Sequence, residues 1–166
     1  MPMTAWTILP FQAGDAPAVR RLIESVWHEH FQHHPDPFVR DFISARLSDV
    51  DSADTAYGDR ALFLCARTES EIVGTGAIKR LDDRECEMVR MFVAPAHRGH
   101  GIGRAIADEL ISFAGMAGYV RIRLSSNSSL TASHRLYERL GFQPAPSWDP
   151  GGETYSRYYS RPISNP

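Results

Sequence analysis

This chain of 166 residues has no uninterrupted apolar run long enough to cross a bilayer, so the sequence predicts no membrane-spanning helix. Its first residues also lack the basic head and long apolar core of a secretory signal, and we expect a cytoplasmic protein. Cysteine is scarce: Cys65 and Cys86 are the two in the chain, and both fall in segments with strand character. Neither lies at a turn or helix start, where a thiolate would be stabilised, so we expect free, buried thiols.

An excess of charge of one sign is also missing. The chain carries 18 lysines and arginines against 20 aspartates and glutamates, which gives a formal net charge of -2. Proteins that bind nucleic acid or anionic membranes usually have a basic surface, so we expect neither as a partner. Hydrophobic residues make up 43% of the chain, which is ordinary for a globular protein. Length and composition together predict one domain over residues 1–166.

Hydrophobic spacing in the first half predicts a strand, two helices and three further strands. Asp15 followed by Pro17 marks the start of the first helix. Four histidines and two prolines in residues 28–37 predict a loop or a broken helix end. The other elements predicted here are a strand over 6–9, a helix over 38–47, an acidic surface connection over 48–59, and strands over 61–67, 71–80 and 85–93.

The second half alternates helices with strands. Its predicted elements are a helix from residue 102 to a stop at Gly118, a strand over 120–124, a helix over 130–140, and one or two late strands. Gly141 closes the second helix, with Phe142 packing back on Tyr137 in a Schellman-type end. Strands followed by alternating units predict an α/β fold with a mixed sheet and helices on both faces.

The most informative segment is the glycine-rich turn within MVRMFVAPAHRGHGIG, residues 88–103. An apolar strand leads through Pro95 into the turn, and a helix starts directly after it. The backbone N–H groups of such a turn converge on one point, where the helix dipole adds partial positive charge. The turn therefore predicts a ligand that carries phosphate.

Two common nucleotide motifs do not match this turn. A P-loop has Lys and then Ser or Thr after its last glycine, whereas Gly103 is followed by Arg104 and Ala105. A dinucleotide fingerprint needs a third glycine where this chain has Arg104 or Ile106. It also needs a carboxylate at the end of the next strand, and that strand ends at Leu124 followed by two serines.

The pattern that does match is Arg-x-x-Gly-x-Gly, formed by Arg98, Gly101 and Gly103. Together with the strand before it and the helix after it, this pattern resembles the central motif of the GCN5-related N-acetyltransferase (GNAT) superfamily. Further along, LYERLGF at residues 136–142 resembles the second cofactor motif of that superfamily. The resemblance implies the acyl-CoA N-acyltransferase fold, with a mixed central sheet of about six or seven strands and helices on both faces.

The resemblance covers residues 60–145 and implies acetyl-CoA as the cofactor, with no metal. Arg98 and the N–H groups of the turn would hold its pyrophosphate, and the end of the preceding strand would pair with its pantetheine arm. Asn127 resembles a residue that contacts the pantetheine, and it equally suits a turn. The cofactor-binding residues implied in this way are Met91, Phe92, Val93, Arg98, Gly99, His100, Gly101, Ile102, Gly103, Arg104, Asn127 and Tyr137.

Two residues are expected to take part in the chemistry. Tyr137 lies where the superfamily has the tyrosine that protonates the departing thiolate, and the alternative is an aromatic residue that only packs. Glu87 matches the general base of the histone-acetylating members, and it shares a strand face with Val89 and Met91. Burial there would raise its pKa towards a useful value. A structural ion pair with an arginine, and an ordered water as the base, stay open as alternatives.

The acceptor is expected to approach between the first two helices and the C-terminal hairpin, as in the superfamily. Candidate walls, each of which also suits a core position, are Trp27, Phe31, Phe38, Trp148 and Tyr155. The predicted function is direct transfer of an acetyl group from acetyl-CoA to a primary amine in a ternary complex. A small molecule is favoured over a protein as the acceptor. The alternative is a catalytically silent acyl-CoA sensor or partner-binding module on the same fold, and monomer and homodimer both stay open.

The histidines outside the turn are expected to have no metal-binding role. His28, His30, His33 and His34 do not share one helix face, and no cysteine or carboxylate partner is evident. We expect a solvated loop there, and the alternative is that one histidine lines the acceptor pocket. His134 is expected at the surface.

Overall fold

The computed structural model describes residues 5–164, apart from the side chain of Asp54. Its strands are β1 (Thr7–Pro10), β2 (Leu62–Arg67), β3 (Ile72–Arg80), β4 (Glu85–Val93), β5 (Arg121–Asn127), β6 (Gln143–Pro144) and β7 (Ser156–Pro162). They form one seven-stranded sheet in the order β1-β2-β3-β4-β5-β7-β6. Neighbouring strands are antiparallel except β4 and β5, which are parallel. The predicted mixed sheet is confirmed.

Helices cover both faces of this sheet. They are α1 (Ala16–Phe31), α2 (Pro37–Asp41), α3 (Ser48–Asp51), α4 (Ala53–Ala56), α5 (Ile102–Met116) and α6 (Thr131–Arg139). Side chains of β2 alternate between two cores: Leu64 and Ala66 pack with α5 and α6, whereas Phe63 and Cys65 pack with α1 to α4. Among the described residues, no helix has the length and apolar character needed to cross a membrane.

Helix α5 lies close to β3 because β3 has glycine at two positions. A Cβ atom at Gly74 would lie 2.7 Å from Cγ2 of Ile102. One at Gly76 would lie 2.5 Å from both Cγ2 of Ile106 and Sδ of Met91. Glycine is therefore required here for space, as is common where another element approaches a strand closely. The contact fixes the start of α5, and the glycine turn before it, relative to β3 and β4.

Strands β4 and β5 separate along their length. Their parallel pairing consists of Glu85 with Arg121, Cys86 with Ile122 and Glu87 with Arg123. Beyond these pairs, β4 stays hydrogen-bonded to β3 and β5 to β7. Among the described residues, the edge of β4 that faces β5 has no strand partner after Glu87. A wedge-shaped opening results, bordered on one side by backbone groups free to pair with a ligand.

A β-bulge bends β4 at Arg90. The φ angle of Arg90 is 57°, and the register with β3 shifts between Thr75 and Ala77. The buried Thr75 donates a hydrogen bond from Oγ1 to the Arg90 carbonyl oxygen at 2.7 Å. A bulge re-aims the side chain at its centre, and the left-handed conformation is unusual for arginine. Here the bulge directs the Arg90 guanidinium towards α3.

The two glycine helix stops are confirmed. Gly118 and Gly141 have φ angles of 87° and 86°, in the left-handed region that favours glycine. After α6, the Phe142 N–H donates to the Tyr137 carbonyl oxygen at 3.0 Å, which is the outer hydrogen bond of a Schellman motif. The rings of these two residues lie 6.0 Å apart between centroids, as the sequence predicts.

Of the two alternatives predicted for residues 28–37, the helix end describes their start and the loop does not. Helix α1 continues to Phe31, so His28 and His30 are helical and not in a loop. The reason is that Trp27 and Phe31 extend the buried face of the helix by one more turn, with 8% and 3% of their surface exposed. A turn with Pro35 then separates α1 from α2.

Two further expectations for this half need correction. The helix predicted over 38–47 is divided into α2 and a 3-10 turn at Ser44–Arg46. The acidic stretch over 48–59 is not a simple surface connection, because it contains α3 and α4 and buries Val50 and Tyr57. The apolar residues among its acidic ones pack on the face of the sheet that α1 covers.

Candidate active site

A cavity of about 690 Å³ lies where β4 and β5 separate. Strand β4 forms its floor, and its sides come from α1, α2, the start of α6 and the loop before β7. A volume of this size can hold an extended ligand arm together with a small second molecule. Glu87 and Tyr137, the two residues predicted for the chemistry, both line this cavity.

Glu87 is half-buried on β4 between two cations. Its neighbours across the sheet are Lys79 on β3 and Arg123 on β5. Arg123 forms its ion pair with Glu85 at 3.0 Å, and no salt bridge to Glu87 occurs within the described part of the chain. Burial raises the pKa of the Glu87 carboxyl, and the charges of Lys79 and Arg123 oppose this rise without cancelling it.

Tyr137 lies on α6 with 5% of its surface exposed. Burial raises the pKa of its phenol, so the hydroxyl keeps its proton throughout the neutral range. Its ring packs against Phe142 and Tyr159, with centroid distances of 6.0 and 6.2 Å. Tyr137 therefore packs in the core and also lines the cavity, and its role as an acid stays a prediction.

The end of β4 supplies main-chain groups to the cavity. Met91 and Phe92 line it, and Val93 ends the strand at the start of the glycine turn. Because alternate N–H groups of a strand point to opposite edges, some of those beyond Glu87 face the opening towards β5. These groups suit an amide-bearing ligand lying along the edge.

The glycine turn is exposed at the start of α5. Gly99 and Gly101 have φ angles of 78° and 80°, and a Cβ atom at either would meet nothing within 4 Å. The first backbone hydrogen bond of α5 comes from the Ala105 N–H to the Gly101 carbonyl oxygen. Among the described residues, the N–H groups of residues 102–104 have no acceptor. They point outward at the positive end of the helix dipole, as an anion site requires.

Arg98 does not extend freely into solvent. Its Nε atom donates to the Val93 carbonyl oxygen at 3.2 Å, and its Nη2 atom donates to the Glu29 carboxylate at 3.1 Å. Both partners of this ion pair are exposed. His100 is exposed in the same turn, and Arg104 forms an ion pair with Asp108 one turn further along α5. The side chains that we expect around a pyrophosphate therefore surround the turn. Arg98 is paired with Glu29 of α1.

Asn127 closes the turn between β5 and α6. Its Oδ1 atom accepts hydrogen bonds from the N–H and hydroxyl of Ser129 at 3.0 and 2.8 Å. This is the turn alternative stated for Asn127, and its side chain also lines the cavity. His134 is buried and not at the surface, since its Nε2 atom lies 3.0 Å from the Asn127 carbonyl oxygen. Burial lowers the pKa of this histidine and keeps it neutral.

The residues expected to form the acceptor walls are divided by the structure. Trp27, Phe38 and Tyr155 line the cavity, and the Tyr155 hydroxyl donates to Asp36 at 3.0 Å. Phe31 lies in the core beneath α1 and does not reach the cavity lining. Trp148 packs on Tyr158 and under Arg123, beside a shallower depression outside the main cavity.

Comparison with known proteins agrees with this geometry. Residues 19–142 match the model of the Acetyltransferase (GNAT) family. The chain belongs to this family. An uncharacterised N-acetyltransferase of Mycobacterium tuberculosis is 29% identical over 105 residues, which are 63% of this chain and 67% of the relative. The N-acetylaspartate synthetase of Danio rerio is 37% identical over 82 residues, which are 49% of this chain and 29% of the relative.

Solved GNAT structures share the fold over nearly the whole chain. A GNAT acetyltransferase from Staphylococcus aureus superposes with a TM-score of 0.78 at 20% identity, covering 96% of this chain and all 100% of the other. The PaiA N-acetyltransferase of Thermoplasma acidophilum, solved in complex with coenzyme A, has a TM-score of 0.79 at 15% identity. That superposition covers 95% of this chain and 99% of the other.

The GNAT family uses acetyl-CoA, and two features of this chain fit that group. The unpaired N–H groups of residues 102–104 offer donors to a pyrophosphate. The free edge of β4 offers donors and acceptors to the amides of a pantetheine arm. No group of histidines, cysteines and carboxylates suited to a metal occurs among the described residues. Cys65 and Cys86 are free, and burial raises the pKa of each thiol to about 12.

Sequence reasoning missed a cluster of charged residues at one end of the cavity. Arg90 donates from Nε and Nη2 to the two carboxylate oxygens of Asp49, at 3.0 and 2.7 Å, and Tyr57 donates to the same carboxylate. Burial would raise the pKa of Asp49, but these hydrogen bonds outweigh it and lower the pKa. Arg46 lines the same end. No local pattern marks these residues, because 41 positions separate Arg90 from Asp49.

Proposed function

We propose that this chain transfers an acetyl group from acetyl-CoA directly to a primary amine of a small molecule, within a ternary complex. The observation that carries the proposal is that Glu87 and Tyr137 line one cavity at the point where β4 and β5 separate. A carboxylate of raised pKa and a phenol that keeps its proton form a base and an acid of the kind that amide formation needs.

Acetyl-CoA supplies the acetyl group as a thioester. In the proposed mechanism, Glu87 accepts a proton from the ammonium form of the acceptor, directly or through a water. Its raised pKa brings its basicity closer to that of the amine it has to deprotonate. The charges of Lys79 and Arg123 oppose the effect of burial on this pKa and so favour the ionised form, which is the one that acts as a base.

The proposed acid is Tyr137. Tyr137 holds its proton in the neutral range and lines the cavity, and it would give this proton to the leaving sulfur as the carbon–sulfur bond breaks. The nitrogen, which loses its second proton on becoming an amide, would return a proton to the phenolate. The N–H groups on the free edge of β4, around Met91 and Phe92, would donate to the carbonyl oxygen on which negative charge develops.

The proposed cofactor site extends from this edge to the glycine turn. The N–H groups at the start of α5 would bind the pyrophosphate, with His100 and Arg104 adding donors at its rim. Arg98 would also bind the pyrophosphate, after releasing its ion pair with Glu29. Val93 and Asn127 flank the pantetheine path at the ends of β4 and β5.

A small acceptor is favoured by the shape of the cavity. Tyr155, before β7, donates to Asp36, and its ring lies 6.0 Å from that of Phe38 on α2, so a bridge joins two of the sides of the cavity. A folded protein would have to displace this bridge, whereas a small amine would not. We also propose a cytoplasmic location, since Cys65 and Cys86 are free and buried as in proteins of reducing compartments.

A two-stage experiment tests the proposal. Titration with acetyl-CoA should raise the melting temperature, because a ligand of the folded state stabilises it by mass action. Release of free thiol from acetyl-CoA is then followed across a panel of amines, with rates measured against both substrates. Intersecting initial-velocity lines support a ternary complex. Stabilisation by acetyl-CoA without turnover of any amine would instead indicate a silent acyl-CoA-binding module.

A further inference from the structure

Two arginines that the proposed mechanism does not use, Arg46 and Arg90, line the cavity, and among the described residues Arg46 is the one without a carboxylate partner. The guanidinium carbon of Arg46 lies 4.1 Å from the ring centroid of Phe42 and 5.3 Å from that of Phe38. Phe42 in turn stacks on Trp27 at 5.5 Å. A guanidinium that packs over aromatic rings keeps its N–H groups available to another partner.

The backbone that carries Arg46 is fixed in place. The Arg90 Nη2 atom donates to the Arg46 carbonyl oxygen at 2.6 Å, and Arg20 donates to the Leu47 carbonyl oxygen at 2.9 Å. Leu47 itself is 1% exposed and anchors the segment in the core. Because its backbone and its stacked face are both held, Arg46 loses little freedom when it binds an anion.

The other two cations of the lining have carboxylate neighbours, and one of them, Arg90, forms a salt bridge. Arg90 is engaged by Asp49 through two hydrogen bonds. Lys79 lies opposite Glu87 across the β3–β4 pair and acts on its pKa. Within the described residues, Arg46 has no carboxylate within salt-bridge distance, and its one recorded side-chain hydrogen bond is a long 3.5 Å contact to the Phe42 carbonyl oxygen.

We infer that Arg46 binds a carboxylate of the acceptor, so that the acceptors of this enzyme are free amino acids and related small amino-carboxylates. The inference rests on the proposed function, since it places an amine near Glu87 and a carboxylate at Arg46. Strand β4 connects these two sites. Arg90 follows Glu87 by three positions on β4 and donates a hydrogen bond to the Arg46 carbonyl oxygen.

A diamine is the competing acceptor class. Glu87 and Asp149 line the cavity without an ion pair among the described residues, and a dication would find carboxylates there. Such a ligand would also bring a second positive charge into the cavity that holds Arg46 and Lys79. The stacked arginine with open N–H groups therefore favours the amino-carboxylate.

Matched acceptor pairs test the inference with the wild-type protein. Glycine, β-alanine, γ-aminobutyrate, aspartate and glutamate are each compared with the derivative in which the carboxylates are amides, and putrescine represents diamines. We expect the best amino-carboxylate to exceed its amide roughly ten- to a hundredfold in kcat/KM, as for hydrogen bonds to a charged group. Equal values within every pair, or a clear preference for putrescine, would overturn the inference.

Variants then assign the effect to Arg46. In Arg46→Gln the kcat/KM of the preferred amino-carboxylate should fall to that of its amide, with the KM for acetyl-CoA unchanged. Arg46→Lys keeps the charge without the planar fork and should recover part of the loss. Arg21→Gln removes one exposed arginine from α1, outside the cavity, and should behave as wild type. An equal loss on acid and amide in Arg46→Gln would contradict the assignment.

Failure of this inference and failure of the proposed function give different results. If amides and acids are acetylated equally well, the transferase activity stands and the role of Arg46 is lost. If acetyl-CoA stabilises the protein but neither series releases thiol, the transferase proposal falls and the inference falls with it. Melting temperatures of the variants verify that each comparison is made between folded proteins.

Discussion

Arg98 of the glycine turn is held by Glu29 of α1, with 3.1 Å between the guanidinium Nη2 atom and the carboxylate. Both side chains are exposed, so the pair is screened by solvent and its own contribution to stability is small. Its position matters more, because a phosphate at the start of α5 would compete with Glu29 for the same guanidinium.

This competition gives the first prediction. Glu29→Gln should tighten binding of acetyl-CoA by roughly two- to fivefold, since an exposed ion pair contributes less than about 1 kcal/mol. Arg98→Ala should weaken binding, and Glu29→Gln should have no effect in that background if the two residues act as a pair. Isothermal titration calorimetry measures all three, with Glu69→Gln as the control for loss of one exposed carboxylate. An unchanged dissociation constant in Arg98→Ala would remove the pyrophosphate assignment.

The second prediction concerns the proposed acid. Tyr137→Phe should reduce kcat by about a hundredfold and leave the dissociation constant of acetyl-CoA nearly unchanged. The substitution removes the hydroxyl group that supplies the proton, whereas the packed ring stays. Tyr119→Phe is the matched control: Tyr119 is also buried, but its hydroxyl donates to the Arg60 carbonyl oxygen and lies outside the cavity lining. Equal turnover by Tyr137→Phe and wild type would leave Tyr137 as a packed aromatic.

The third prediction follows from the raised pKa of Glu87. As the base, Glu87 must be ionised, so kcat/KM should rise with pH through a value above the ordinary pKa of glutamate. Glu87→Gln should lower kcat/KM by about a hundredfold and remove this rising limb from the pH profile. A variant that keeps the limb would point to an ordered water or another group as the base.

The same shift has a consequence for stability. A carboxyl whose folded-state pKa is raised binds its proton more tightly in the folded than in the unfolded chain, so its ionisation costs stability as pH rises through the raised pKa. Glu87→Gln should therefore raise the melting temperature at pH 8 and change it little at pH 4. Differential scanning calorimetry at the two values tests this, and an equal shift at both would contradict the sign.

The fourth prediction concerns the close packing of α5 on β3. Gly76→Ala should destabilise the fold by about 1–3 kcal/mol, since its Cβ atom would lie 2.5 Å from Ile106 and Met91 side-chain atoms. Gly14→Ala adds the same methyl group where nothing lies within 4 Å and should be neutral or slightly stabilising. Urea unfolding of the two variants measures the difference. Equal midpoints would mean that α5 can move away from β3 at little cost.

Much of the fold follows from local signals in the sequence. The predicted bounds of β4 are the observed ones. Gly118 and Gly141 follow the ends of their helices, where the backbone adopts a positive φ that favours glycine. The pairing of Phe142 with Tyr137 follows from the Schellman geometry alone. These features depend on neighbours within a few positions, which a single sequence displays directly.

The acceptor end of the cavity could not be predicted in the same way. In the sequence, Asp49 is one of several acidic residues in a predicted surface connection. The side chain of its partner Arg90 is oriented by a β-bulge, which no sequence pattern predicts. Arg46 likewise gains its position from that distant arginine and from two phenylalanines. Roles that arise from contacts between distant segments require the folded arrangement.

The short joint between β4 and β5 has one more consequence, for the mechanics of the molecule. Three residue pairs connect the sheet of β1 to β4 with the smaller unit of β5 to β7. A short joint lowers the cost of a sub-global opening between the two units, so amide hydrogens of β4 and β5 should exchange faster in the free protein than with a ligand bound. A molecule lying in the wedge touches both units and adds its binding energy to the cost of parting them. A ligand bound between β4 and β5 should therefore make the two units unfold together more cooperatively.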